Sequence, residues 1–468
     1  MKKNDIFEID ITGMTHEAMG VGKVEGIAVF VQGAIKGERV IAKIIKVARN
    51  YAIARVEKWI TKSLERCEPF CQVYKRCGGC SLQHMTYDMQ LRFKHEVVKD
   101  NLERIGGFKG IHVNPVIGME KPMNYRNKAQ YPVGMDSNGP ISGFYAKRSH
   151  TIIDSDSCGI QHVGSETTKN VVMDIIKDLE IPIYDENTRT GILRHIITRV
   201  SYSTDDIMLI LVVTDAKVPK LDKLVQNIVC RIPEVKSIIL NINKRTDNVI
   251  LGDKVKTIYG AKTLIDNLGG LTFHIPPLSF YQVNPIQTEI LYKKAVEFAQ
   301  LSGTETVFDL YCGIGTISLF LAQRAKRVIG VEVVSEAIEA AKQNAKINNI
   351  SNAEFFCGLA EDIVPKLYEK SITADVVVVD PPRKGCDIAL LETMVDMLPK
   401  RIVYVSCNPS TLARDLKHLA ANGYGIKEVQ PVDLFPWTSH VETVVLLSHK
   451  KADDFICIKI DYNRLYSR

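Results

Sequence analysis

The feature that most constrains the fold is a regular alternation of short apolar runs and amphipathic runs after residue 300. The apolar runs lie at 305–310, 327–333, 353–357, 374–380, 401–406, 425–430 and 442–448. Helical patterns lie between most of them. Strands that alternate with helices predict a doubly wound α/β domain with a largely parallel sheet, whose ligands bind at the carboxyl ends of the strands.

The rest of the chain has to form further domains, because 468 residues exceed one ordinary core. Residues 1–60 contain short strands separated by glycines and predict a small OB-like β-barrel. Residues 61–270 predict a central β-rich domain. It contains a cysteine cluster and an amphipathic helix at about 84–105, which we expect to pack on the α/β domain. Residues 271–468 form that α/β domain.

The composition indicates a cytoplasmic protein without membrane contacts. No apolar run approaches the length of a membrane span, and the N-terminal stretch MKKNDIFEID lacks the apolar core of a signal peptide. In a reducing compartment, clustered cysteines serve metal binding or catalysis rather than disulfides.

The positive charge is concentrated near the N-terminus. Residues 1–110 contain 19 Lys and Arg against 13 Asp and Glu, whereas the remaining residues contain 41 of each, so the whole net charge of +6 lies in residues 1–110. Lys43, Lys46, Arg49 and Arg55 recur along two adjacent predicted strands, with Tyr51 between them. This pattern is typical of an RNA-binding barrel face, and a solvated strand edge explains it about as well.

A glycine-rich turn follows the first strand of the α/β domain. In TVFDLYCGIGTISLFLA (306–322), Gly313 and Gly315 permit a tight turn before a helix whose N-terminus favours negative charge. Ser318 stands where a dinucleotide-binding fingerprint has a further glycine, which weakens that interpretation.

Three acidic residues accompany this turn. Asp309 ends the first strand, Glu332 ends the second, where a carboxylate can bind a ribose diol, and Asp380 ends the fourth within DVVVVDPPRKG. The ordered set resembles the S-adenosylmethionine (SAM) site of class I methyltransferases.

A thiol and a carboxylate then suggest which atom receives the methyl group. Cys407 follows the fifth strand in VYVSCNPSTLARDL (403–416), and such a thiol is either a packing residue or a nucleophile. Carbon 5 of a pyrimidine becomes nucleophilic only after a thiolate adds to carbon 6, and a base must later remove the carbon 5 proton. Glu442, which precedes the last apolar strand, is the candidate base, with His440 on the same face of an extended chain.

Four motifs together resemble the RNA uracil-5-methyltransferase family: SCNPSTLARDL, DPPRKG, FYQVNP (280–285) and HVET. The resemblance covers nearly the whole chain. It implies a SAM-dependent enzyme that makes 5-methyluridine in tRNA or 23S rRNA, and a TRAM domain, an RNA-binding barrel, at residues 1–60. The RNA 5-methylcytosine enzymes usually carry a cysteine directly after the proline of the acidic motif. Because Pro382 is followed by Arg383, the sequence disfavours that class.

The resemblance also assigns roles to individual residues. It implies Cys407 as the nucleophile and Glu442 as the base. It implies four SAM contacts, which are Gln282, Tyr311, Glu332 and Asp380.

The cysteine cluster CEPFCQVYKRCGGC holds Cys67, Cys71, Cys77 and Cys80. From the residues alone these four thiols could form a zinc knuckle. The resemblance implies instead a [4Fe–4S] cluster bound by Cys71, Cys77, Cys80 and the distant Cys158. Cys67 departs from that pattern and leaves zinc as the lesser alternative. The other cysteines are assigned to packing: Cys230, Cys312, Cys357, Cys386 and Cys457.

The iron–sulfur element favours 23S rRNA as the substrate over tRNA, since the rRNA subgroup more often carries it. A non-catalytic RNA-binding protein with a vestigial methylase domain is the second hypothesis, and the intact motifs argue against it. Nothing in the sequence calls for an obligate protein partner.

Overall fold

The computed structural model describes residues 1–449, so Cys457 lies outside the described part. Within these residues the chain forms three large β-sheets and one short hairpin. No helix of residues 1–449 is both long enough and apolar enough to cross a membrane.

The first sheet is a curled N-terminal structure with six strands. The strands are β1 (Ile6–Asp10), β2 (Gly13–Met14), β3 (Gly20–Val24), β4 (Ile27–Gln32), β5 (Arg39–Val47) and β6 (Tyr51–Thr61), in the order β1-β5-β6-β4-β3-β2. The sheet curls until β3 lies against β1, where Gly22 leaves no room for a Cβ beside Ile9 and Asp10. Alternate residues of each strand therefore enclose a small apolar core, as the predicted barrel requires.

Helix α1 (Tyr87–Arg104) lies between this barrel and the C-terminal sheet. Thr86 caps its N-terminus by accepting a hydrogen bond from the Met89 amide. One end of its apolar face packs with Ile35 of the barrel, and the other end contributes Val98 and Leu102 to the C-terminal core. The helix thereby connects the two outer parts of the molecule.

The second sheet has seven strands, ordered β13-β12-β11-β10-β7-β8-β9. Its elements are β7 (Lys128–Asp136), β8 (Gly139–Tyr145), β9 (Ile152–Asp154), α2 (Val163–Asp178), β10 (Leu193–Val200), β11 (Ile207–Val213), α3 (Leu221–Arg231), β12 (Val235–Ile242) and β13 (Lys254–Gly260). Every residue of β10 and β11 is buried, because α2 and α3 cover one face and the C-terminal core covers the other. The sequence analysis described this region only as β-rich and did not predict the two helices.

A short hairpin of β14 (Leu264–Leu268) and β15 (Leu271–Ile275) leads into the third sheet. The third sheet has seven strands, ordered β18-β17-β16-β19-β20-β22-β21. Its elements are α4 (Pro285–Ala299), β16 (Thr306–Leu310), α5 (Thr316–Ala322), β17 (Arg327–Glu332), α6 (Ser335–Ile347), β18 (Ala353–Cys357), α7 (Ala360–Glu369), β19 (Val376–Val379), α8 (Ile388–Met397), β20 (Arg401–Ser406), α9 (Pro409–Ala421), β21 (Tyr424–Val432) and β22 (Glu442–His449).

The third sheet confirms the predicted doubly wound α/β fold. Strands β16 to β20 pair in parallel, and helices cover both faces: α4, α5 and α6 contribute to one core and α7, α8 and α9 to the other. The strand order reverses between β16 and β19, and in open α/β sheets this is where the crevice for a ligand forms.

The last strand along the chain does not lie at the edge of the sheet. β22 runs antiparallel between β20 and β21, so both of its edges are paired. The first residue of β22, Glu442, therefore lies inside the sheet next to the strand that leads to Cys407.

Candidate active site

The carboxyl ends of the third sheet open into a cavity of about 970 Å³. Ten of the residues that the sequence assigned to a site line this one cavity: Cys407, Glu442, Gln282, Tyr311, Glu332, Asp380, Cys71, Cys77, Cys80 and Cys158. The tertiary structure thus brings together residues that are more than 300 positions apart in the chain.

The glycine turn after β16 shapes one wall of this cavity. Gly313 and Gly315 have φ angles of +55° and +81°, which residues with a Cβ rarely adopt. Open space surrounds the position that a Cβ of Gly313 would take, so a ligand can approach the backbone there. Glu332 is fixed beside this space because its carboxylate accepts hydrogen bonds from the amides of Gly313 (3.2 Å) and Val334 (2.9 Å).

Asp309 does not line the cavity, although the sequence analysis placed it in the cofactor motif. Its side chain is fully buried and accepts a hydrogen bond from the Ser318 hydroxyl. Burial raises the pKa of Asp309 to about 7. The serine that breaks the dinucleotide fingerprint therefore serves as the partner of this buried acid.

Cys407 lies directly after β20, at the point where α9 begins. Asn408 caps the helix by accepting from the Ser410 amide, and its side-chain amide donates to the carbonyl of Arg383 (3.0 Å). The hydroxyl of Thr411 donates to the same carbonyl (3.2 Å). The Cys-Asn-Pro-Ser-Thr run thus ties the loop that carries Arg383 to the nucleophile candidate.

Three acidic groups converge near this loop. Burial and the charges of Glu442 and Asp380, opposed by the charge of Arg383, together raise the pKa of the Cys407 thiol to about 11. Glu442 is only 3% exposed, and burial together with the charge of Asp380 holds its pKa well above the ordinary value of 4.5. Burial raises the pKa of Asp380 to about 7. These shifts place the thiol and both carboxylates within electrostatic reach of one another.

His440 also lines the cavity, but it belongs to the loop before β22 and not to the strand. Its ring packs edge-on against Phe435 at 6.1 Å.

The four cysteines of the predicted iron–sulfur group line the far end of the same cavity. Cys77 pairs as a short β-bridge with Ala146 next to β8, and Cys158 follows β9. Burial, with smaller contributions from the neighbouring thiols of Cys158, Cys77 and Cys71, raises the pKa of the Cys80 thiol to about 12. All four side chains offer sulfur, which is the donor type that iron–sulfur clusters use.

Cys67 lies apart from the other four cysteines. It does not line the cavity, and its thiol contacts the carbonyl oxygen of Gln83 at 3.4 Å. In the described part of the chain, no three Cys, His, Asp or Glu side chains come close enough to hold a single metal ion. This absence applies to Cys71, Cys77, Cys80 and Cys158 as well as to Cys67, so the described residues show neither the predicted iron–sulfur site nor the zinc knuckle.

Two features of this region were not predicted from the sequence. Arg126 and Lys128 line the cavity, and their alternate spacing in the stretch NYRNKAQ could have placed them on one strand face. Trp437, in the loop before Glu442, adopts a φ of +67°, and no local pattern indicates this.

Two family models match the chain. The model for tRNA (uracil-5-)-methyltransferase matches residues 265–450, and the model for the TRAM domain matches residues 2–56.

Relatives match over almost the full length. A protein of Halalkalibacterium halodurans, named as an uncharacterized RNA methyltransferase, is 51% identical over 450 residues, covering 96% of this chain and 98% of the relative. A Clostridium tetani protein with the same kind of name is 50% identical, covering 96% of this chain and 97% of the relative. The crystal structure of Pyrococcus abyssi tRNA (uracil-54, C5)-methyltransferase with S-adenosyl-L-homocysteine is similar with a TM-score of 0.77 at 28% identity, covering 94% of this chain and 100% of that one.

Proposed function

Since the chain belongs to the RNA (uracil-5-)-methyltransferase family, we propose that it methylates carbon 5 of a specific uridine in 23S rRNA through a covalent bond between Cys407 and carbon 6. The observation that carries this proposal is the meeting of Cys407, Glu442 and the glycine turn at one cavity. A thiol, a buried carboxylate and a methyl-donor site are together what methylation at carbon 5 requires.

The donor is SAM, which supplies an activated methyl group when it is bound. The residues present fit it: the open space at Gly313 admits a ligand to the backbone, and Glu332 offers a carboxylate for ribose hydroxyls. Gln282, Tyr311 and Asp380 line the same cavity and would hold the rest of the molecule. A ligand of this type, S-adenosyl-L-homocysteine, is present in the P. abyssi structure.

Cys407 and Glu442 divide the remaining chemistry. The thiolate of Cys407 adds to carbon 6, and carbon 5 then carries the electron density that accepts the methyl group. Glu442 removes the proton from carbon 5, and the electrons of that bond expel the thiolate from carbon 6. A base that is buried and whose pKa is raised is well matched to removing a carbon-bound proton.

The function is tested by tritium release from RNA that contains [5-³H]uridine. The purified protein with SAM should release tritium and leave 5-methyluridine in the RNA, and Cys407→Ala should do neither while still binding SAM. SAM binding without tritium release from any cellular RNA would contradict the proposal.

The order of the two roles is tested by trapping the intermediate. Glu442→Gln keeps the shape of the side chain but cannot accept the proton, so a protein–RNA adduct should survive denaturing electrophoresis and contain the methyl group of labelled SAM. The double variant with Cys407→Ala should give no adduct. Normal turnover by Glu442→Gln would show that another group is the base.

We propose 23S rRNA as the substrate because the cysteine group of this chain resembles the element found in the rRNA subgroup. The P. abyssi relative acts on tRNA according to its name, which makes tRNA the second candidate. Nucleoside mapping of both RNAs from a deletion strain decides between them: loss of one 5-methyluridine from 23S rRNA supports the first, and loss from tRNA supports the second.

Cys71, Cys77, Cys80 and Cys158 would hold a [4Fe–4S] cluster. Anaerobically purified protein should be brown with about four irons per chain. Serine at any of these positions should remove the colour, whereas Cys67→Ser is the matched control and should keep it. Stoichiometric zinc, together with a requirement for Cys67, would contradict the assignment.

A further inference from the structure

Three basic residues face one another in the second sheet. Lys128 on β7 and Arg199 on β10 are directly opposite in the antiparallel register, so their side chains project from the same face of the sheet. Arg126 lies two residues before Lys128, which places it on that face as well, and both residues line the active-site cavity. Like charges in such positions repel one another.

No carboxylate compensates this charge. Within residues 1–449, neither Arg126 nor Lys128 forms an ion pair or a side-chain hydrogen bond, and the nearby charges that act on Lys128 are those of Arg199 and Arg126. Burial and these two cations lower the pKa of Lys128 to about 7. The carboxylates of the cavity, such as Glu332 and Asp380, belong to the third sheet instead.

Arg199 leaves a buried donor unused. Its side chain is 3% exposed and donates one hydrogen bond to the carbonyl of Ser279, while its Nε, in the described part of the chain, has no hydrogen-bond partner. A buried guanidinium with a free N–H beside two further cations is costly unless an anion completes the group.

The group adjoins the segment that carries Gln282, one of the residues lining the same cavity. The backbone amide of Asn127, between Arg126 and Lys128, donates to the carbonyl of Val283 (2.9 Å), and its side chain donates to the carbonyl of Gln282 (3.2 Å). An anion held there would therefore lie next to the segment that carries Gln282.

We propose that Arg126 and Lys128, which line the cavity, form an anion site that binds a backbone phosphate of the RNA beside the target uridine, and that the buried Arg199, which does not line it, adds its charge from behind Lys128. This inference rests on the proposed function. A nucleotide that leaves its stack and enters the cavity brings its flanking phosphates with it. Each phosphate carries a negative charge, which would balance the positive charge of the three basic residues. The site thereby positions the uridine and takes no part in the bond changes.

Lys128→Met tests this site because it removes the charge and keeps the volume. RNA affinity should fall about ten-fold or more, the value for a lost charge-assisted contact. The slope of log affinity against log salt should decrease by about 0.7–1. SAM affinity should be unchanged, and the RNA-free variant should be at least as stable as the wild type, because one repelling charge is gone. Lys256→Met, the same change at an exposed position on β13 of the same sheet, is the control and should alter none of these values.

RNAs in which one phosphate near the methylated uridine is replaced by a neutral methylphosphonate then show which phosphate contacts Lys128. One substituted linkage should weaken binding by the wild-type protein and have no further effect on Lys128→Met, since the partner charge is already absent. Two outcomes would contradict the proposed phosphate site. One is a Lys128→Met variant whose RNA affinity and salt slope equal those of the wild type. The other is a loss of SAM affinity in this variant, which would assign the cations to the carboxylate of SAM. Failure of the proposed function is distinguishable, because the wild-type protein would then form no 5-methyluridine although its RNA affinity remains measurable.

Discussion

At the scale of single residues, the environment of the active site raises the pKa values of Cys407, Glu442 and Asp380 and so disfavours their ionised forms. The buried carboxylates of Glu442 and Asp380 raise the pKa of Cys407, and Arg383 is the positive charge that opposes this effect. Burial and the charge of Asp380 likewise hold the pKa of Glu442 well above its ordinary value.

This arrangement predicts how Glu442→Gln changes stability with pH. The pKa of Glu442 is raised in the folded protein, so the folded state holds this proton more tightly than the unfolded state does. The contribution of Glu442 to stability is therefore present below the unfolded pKa of about 4.5 and is lost as the pH rises through the folded pKa. Glu442→Gln should raise the melting temperature by about 1–3 °C at pH 8 and have little effect at pH 5.

Glu392→Gln, on the exposed face of α8, is the matched control in the same calorimetric scans and should show no such pH dependence. A melting temperature of Glu442→Gln that falls at pH 8 would contradict the prediction.

At the scale of elements, the loop that leads into β22 is held from outside by the chain that follows the cysteines. The amides of Ser81 and Leu82 both donate to the carbonyl of Trp437 at 3.0 Å. The indole of Trp437 donates to the carbonyl of Pro122 at 2.5 Å. A bulky residue with positive φ is unfavourable in isolation, so these tertiary contacts keep the turn in place and with it the start of β22 at Glu442.

A buried ion pair fixes the same loop to α1. Lys94 and Asp433 have no exposed side-chain surface and are 2.5 Å apart, and the hydroxyl of Tyr87 donates to the other oxygen of Asp433 at 2.8 Å. Lys94→Met would leave the carboxylate of Asp433 buried without its cation. We expect a loss of about 3–5 kcal/mol in the free energy of unfolding, measured with urea.

The kinetics of Lys94→Met show whether the Lys94–Asp433 pair positions Glu442 or only stabilises the fold. Lys94→Met should slow the step that depends on Glu442 more than the step that depends on Cys407, so the protein–RNA adduct should accumulate. The double variant Lys94→Met/Asp433→Asn should recover much of the lost stability because no buried charge remains unpaired. A change in unfolding free energy below about 1 kcal/mol in the single variant would show that the pair does not hold the loop.

At the scale of the whole molecule, the barrel is attached to the rest of the chain by apolar packing and a buried ion pair. Ile35 of the barrel packs with Leu82, Met85 and Phe93, and Glu38 accepts from the guanidinium of Arg66. Removing residues 1–60 would therefore expose the segment next to the cysteines. Substitution of surface charges tests the role of the barrel more cleanly than deletion.

Lys43→Gln, Lys46→Gln and Arg55→Gln in one variant should weaken RNA binding and lower the salt slope by about 2–3. Lys43 and Arg55 are opposite one another on β5 and β6, which makes a compact basic patch. SAM affinity and melting temperature should not change. The control removes three exposed lysines from another surface, Lys254, Lys256 and Lys262, and an equal loss of RNA affinity there would contradict a specific role for the barrel.

The amino-acid sequence alone determined the strands of the third sheet and the identity of ten residues that line its cavity. All seven predicted strands are present with ends that differ by at most two residues, because β-branched runs, helix caps and glycine turns are local signals. The motifs around Cys407 and Gly313 are also local, since each combines a strand end with the start of a helix. For these features, short-range chemistry is sufficient.

Tertiary structure alone decided how these elements are combined. The insertion of β22 between β20 and β21, the helices of the central sheet, and the hydrogen bonds from Ser81 and Leu82 to Trp437 join segments whose patterns carry no information about each other. Asp309 turned towards Ser318, and Lys128 came to face Arg199, through register and packing. Such contacts depend on which surfaces are buried together in the complete fold, and a local pattern cannot specify them.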